Sequence, residues 1–176
     1  MTALLAQLLR QIENDRDSSL LPELWMLLEK NYSGKKSDPA WESILSEELL
    51  ALRLGDEDKR EVLQWFNRCL FEDQLTLWEK VYCMAALGAI LDPEALDIAL
   101  RFLCQTYQQL DNGGAYSVIA GLHPFSAVRL FGTRARDMYR QYRTQDVLRS
   151  LIARNDAKLT ELAEIKLRQV EKVFSE

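Results

Sequence analysis

At 176 residues the chain is long enough to bury a core of its own, so it needs no disulfide or metal staple. Hydrophobic residues make up 48% of it, well above a disordered segment, and seven Gly, four Pro and little Val or Ile beside Leu disfavour a sheet. With 22 Lys and Arg against 27 Asp and Glu, the net charge of −5 argues against nucleic acid as the main partner. The chain reads as a single all-α domain over 1–176.

The first segment, MTALLAQLLRQIENDRD, has no positive leader region, and Arg10 and Glu13 interrupt its apolar face. It is expected to be an amphipathic first helix rather than a signal peptide. No run approaches the length of a membrane span, so no membrane role is expected. Cys69, Cys83 and Cys104 each sit on an apolar helical stretch with no CxxC. Such thiols are expected to be buried and reduced, which places the chain in the cytoplasm.

Helix starts then recur along the chain: Ser18 or Ser19, Asp38-Pro39, Asp56, Asp73, Asp92-Pro93, Asn112, Pro124, Thr144 and Asp156. They delimit five pairs: 2–14 with 19–32, 38–54 with 56–71, 73–91 with 92–110, 112–122 with 124–142, and 144–154 with 156–174. The second members begin near 19, 56, 92, 124 and 156, a period of 32 to 37 residues, as in stacked helical hairpins. Terminal pairs should be caps, and 156–174 carries a single apolar stripe through Leu159, Leu162, Ile165, Val170 and Val173. The polar stretch 31–39 is expected to be a surface connection. Asn112-Gly113-Gly114 allows a sharp reversal, as a helix stop or as a contact loop.

The centre of the chain is the most telling. Trp78, Val81, Tyr82, Ala85 and Ala89 keep helical spacing before Asp92-Pro93, and Leu96, Ala99, Leu100, Leu103, Tyr107 and Leu110 keep it afterwards. Ile98 and Phe102 add a second apolar stripe, so the second of these helices should be sandwiched between neighbours. Lys80, Ala86, Leu87, Gly88, Asp92, Pro93, Glu94, Ala95 and Leu96 resemble the HEAT-like repeat pattern over about one repeat, 80 to 103. Leu91 stands where glycine is common and Asp97 at a frequent proline position. The resemblance implies an α-solenoid of antiparallel hairpins, about ten helices in all, and in most such families a protein-binding scaffold. An irregular helical bundle is the alternative.

Catalytic motifs are missing: His123 is the one histidine, in Gly-Leu-His-Pro-Phe, and no GxSxG, HExxH, phosphate-binding loop or GxGxxG occurs. No enzyme activity, cofactor or metal site is expected. Charge is more informative. Residues 1–111 hold 20 acids and 11 bases, net −9, and residues 112–176 hold 7 acids and 11 bases, net +4. Asp56, Glu57, Asp58 and Glu61 open one helix, and Asp92, Glu94 and Asp97 open another. In a stack these would merge into one acidic rim that steers a basic partner, although helix N-termini collect acids for their own reasons.

Arg129, Arg136, Arg140 and Arg143 fall at i, i+7, i+11 and i+14, one face of a single helix, with Arg134, Tyr139 and Tyr142 close by. That composition suits a phosphate surface, or pairing with acids across the stack. Trp25, Trp41, Trp65 and Trp78 fall one per helix, as core packing would place them. Size, acidity and helical character together are similar in type to immunity proteins of bacterial contact-dependent toxin systems. That likeness implies one protein partner, a basic toxin, commonly a nuclease, blocked by the acidic rim. The alternatives are a helical-repeat adaptor or chaperone, and a HEAT-like nucleic-acid binder using the 129–154 face.

Overall fold

A computed structural model describes residues 56–71, 76–87 and 92–176, and every regular element among them is helical. The chain divides into two compact units, 1–91 and 92–176, each taken by itself below. The boundary falls at Asp92, inside the segment that resembles a HEAT-like repeat. The expected helices 2–14, 19–32 and 38–54, and the 31–39 connection, lie outside the described residues.

In the first unit, α1 spans Asp56–Phe71 and α2 spans Leu77–Leu87. Leu63, Phe66 and Leu70 on α1 are buried at helical spacing, as are Val81, Met84 and Leu87 on α2. The two helices pack against each other. Cys83 is buried, and Trp78 is 54% exposed, which corrects its expected place in the core. Trp65 lies on α1; Trp25 and Trp41 lie outside the described residues.

The second unit runs α3 (Pro93–Thr106), α4 (Asn112–Ala120), α5 (Pro124–Phe131), α6 (Thr133–Gln141), α7 (Thr144–Ile152) and α8 (Ala157–Ser175). Three starts are built as local chemistry demands, by an aspartate that accepts an orphan amide of the first turn. Asp92 Oδ1 accepts from Glu94 N–H at 2.8 Å, Asp111 Oδ1 from Gly114 N–H at 2.6 Å, and Asp156 Oδ1 from Leu159 N–H at 3.0 Å. Asn112-Gly113-Gly114 therefore opens α4 rather than reversing the chain.

The expected helix 124–142 is broken. At Gly132 the backbone takes φ 58°, ψ −132°, and separate helices flank it. The arginine-rich segment keeps helical spacing across the break, and one glycine is tolerated inside a helix, so composition hides it. Nothing lies within 4 Å of where a Cβ would sit at Gly132, so the cost of a side chain there is one of backbone conformation alone. Gly132→Ala should destabilise by about 1–3 kcal/mol, measured as a lowered midpoint in urea at unchanged slope.

The core of this unit gathers on α8, which packs most extensively against α7 and also against α4, α5 and α6. Its buried line is Leu159, Ala163, Lys166, Val170 and Val173, spaced 4, 3, 4, 3. The expected stripe therefore shifts: Leu162 is half-buried, Ile165 is 37% exposed, and Lys166 is 3% exposed. Arg154, in the turn between α7 and α8, donates to the carbonyls of Leu110 (2.8 Å) and Tyr107, tying that turn to the end of the α3 segment. Those carbonyls lie where a helix C-terminus leaves acceptors open.

Candidate functional site

The seven acids expected to form one rim are divided between the two units. Asp56, Glu57, Asp58 and Glu61 occupy the opening turns of α1. In the second unit Asp92 is the cap of α3 and Glu94 is exposed in its first turn. Asp97 is half-buried and accepts a hydrogen bond from the Tyr142 hydroxyl at 2.6 Å. Partial burial, followed by that bond and the Asp97 charge, pushes the Tyr142 hydroxyl up to about 12, against the lowering pull of Arg101. Of the three acids in the second unit, Asp92 and Asp97 thus have structural tasks, and Glu94 faces solvent.

The four arginines expected on one helix face are spread over three elements because of the break at Gly132. Arg129 is on α5, Arg136 and Arg140 are on α6, and Arg143 is the left-handed residue (φ 52°) that precedes α7. Arg136 is half-buried with its Nε in the interior. Arg140 stands 4.9 Å over the Phe174 ring and 3.6 Å from Asp137. Arg143 pairs with Asp146 at 2.9 Å, and Arg149 bridges Asp146 (3.4 Å) and Glu171 (3.1 Å). Tyr139 is fully buried, and burial raises its hydroxyl well above the ordinary tyrosine value. Arg140, Arg143 and Tyr139 therefore have partners or places within the fold.

One concave feature of the second unit is not revealed by the sequence. A groove of about 610 Å³ runs between α4 and α8, with Tyr116, Leu162 and Ile165 as its apolar residues. Asn112 and Gly113 line it from the start of α4; Asp156, Lys158 and Glu161 line it from the start of α8. Tyr116 is 41% exposed, so two large apolar side chains, Tyr116 and Ile165, meet water in the same depression. The sequence carries no direct signal for it: a lysine, Lys166, holds the core position on α8, and this hides that Ile165 points elsewhere.

His123 precedes Pro124 at the start of α5 and makes no side-chain capping bond. It is half-buried. Burial, with the positive charge of Lys166 second, lowers its pKa from 6.5 to about 4. Among the described residues no group of three or more His, Cys, Asp or Glu is placed to hold a metal ion, and no helix is long and apolar enough to cross a membrane. Set against family models, curated proteins and solved structures, the chain matches none.

Proposed function

We propose that this chain is a protein-interaction module, most concretely an immunity-type inhibitor that holds a basic toxin and covers its active site. The observation that carries the protein-binding reading is the α4–α8 groove, where Tyr116 and Ile165 present apolar surface between polar walls. The exposed Trp78 on α2 is a second anchor of the kind that dominates protein interfaces. The basic partner is supported by charge: residues 1–91 hold 16 acids and 10 bases, net −6, against 11 acids and 12 bases, net +1, in residues 92–176. The acidic opening of α1, with Asp56, Glu57, Asp58 and Glu61, would face that partner's basic cleft.

The architecture we propose for the second unit is the irregular helical bundle rather than a hairpin stack. In a stack each hairpin touches its neighbours only, whereas α7, from the pair 144–154 with 156–174, packs against α3, two pairs back, and Arg154 donates to the carbonyls of Tyr107 and Leu110 at the end of that segment. The HEAT-like likeness of 80–103 is proposed as a local resemblance around the Asp92-Pro93 helix start.

Affinity capture by the tagged chain from its native cells, with mass spectrometry of the retained protein, tests the function. The expected result is one basic protein retained in stoichiometric amount. Glu57→Lys together with Glu61→Lys should slow its association and leave dissociation little changed, as steering charges do. Tyr116→Ala with Ile165→Ser should weaken capture about tenfold or more through faster dissociation. Retention of nucleic acid instead of protein, or capture indifferent to both pairs of substitutions, would sink the reading.

A further inference from the structure

Further along α8 from the groove lies a surface of opposite character. Lys172 Nζ stands 5.5 Å over the ring of Phe125, on α5, and Arg140 stands 4.9 Å over the ring of Phe174. Phe125 is 42% exposed, and Arg140, Arg168 and Lys172 are exposed. Arg168 and Lys172 are one turn apart on the same face of α8. The helices that carry these groups, α5, α6 and α8, pack against one another. Phe125 thus lies beside Lys172 with Arg168 one turn away, while Phe174, about 200° around α8 from Lys172, holds Arg140 on another side of the helix.

We propose that the cationic-aromatic surface built from Phe125, Arg168 and Lys172 binds an acidic protein segment that carries an apolar residue among its carboxylates. The cations supply charge complementarity to the carboxylates, and the exposed part of the Phe125 ring supplies an apolar contact that ammonium and guanidinium groups alone lack. A protein segment fits better than a nucleic acid because carboxylates are interleaved with the cations. Glu164 and Glu171 are exposed about one turn to either side of Arg168 on α8, and Glu171 pairs with Arg149. An evenly charged phosphate backbone would meet those carboxylates, and the chain's net charge of −5, along its whole length. A peptide can space its acids to avoid them. This surface is separate from the groove and takes a partner opposite in charge to the toxin proposed above.

The test is fluorescence anisotropy of the full chain with a labelled peptide of repeated Glu-Glu-Phe units, beside labelled oligothymidylate. The acidic peptide should bind, and more weakly as salt rises. Arg168→Glu with Lys172→Glu should weaken it about tenfold or more, Phe125→Ala about fivefold, and Lys172→Arg little. Both charge reversals are at exposed positions, and an unchanged thermal midpoint shows that the fold is kept. Absence of peptide binding, equal binding by the charge-reversed chain, or tighter binding of oligothymidylate than of the peptide would each overturn the proposal.

Discussion

Leu148→Ala should cost about 2–5 kcal/mol of unfolding free energy, the range for removing a fully enclosed leucine side chain where the surroundings relax only in part. Leu148 has no exposed surface and sits on α7, in the helix pair that packs most extensively in the second unit, beside Val147 and Leu151, which are also buried. The helix packed against α7 is α8, which carries Leu159, Ala163 and Val170, equally enclosed. A cavity there has little freedom to close, because α8 is held by α4, α5 and α6 as well. Urea unfolding followed by circular dichroism measures the cost. A loss under about 1 kcal/mol would mean that α7 and α8 do not form the core of this unit.

The second large effect is a dependence on pH through His123. Its folded pKa of about 4 lies below the ordinary 6.5, so the unfolded chain binds the proton more readily. The contribution to stability is therefore complete above about 6.5, is lost progressively as pH falls, and levels off below about 4. Its full size is on the order of 3 kcal/mol. Carboxylates titrate near the lower end of this window, so the informative quantity is a difference. His123→Gln should flatten the slope of unfolding free energy against pH between about 6.5 and 4.5, while the slope above 7 stays the same. Identical slopes for the two proteins would show that the imidazole does not have to stay neutral in the fold.

Helix beginnings are legible in the sequence because each rests on chemistry within a few residues. Asp92-Pro93 and Asp156 announce α3 and α8, and the structure places the cap bonds of both aspartates within hydrogen-bonding distance. Asp56 likewise marks the start of α1. Gly132 is not legible, since the residues on both sides continue a helical pattern and only the backbone angle distinguishes a break from a tolerated glycine. Lys166 does not read as a core position because lysine is seldom buried, and the true register of α8 is hidden with it. The groove is invisible for a different reason. Tyr116 and Ile165 become neighbours through the packing of α4 on α8, which no local periodicity encodes. The acidic set does mark helix openings, but a sequence pattern does not separate Asp97, which serves Tyr142, from Glu94, which faces water.

The position of α8 also bears on the order of events at the ribosome. It is the last of these helices to be synthesised, yet the apolar faces of α4, α5, α6 and α7 all close on it. Arg154, which ties down the carbonyls of Tyr107 and Leu110, is made only just before it. A nascent chain stalled before residue 157 would thus carry the buried sides of earlier helices uncovered, and would be a substrate for chaperones and proteases rather than a partly working protein.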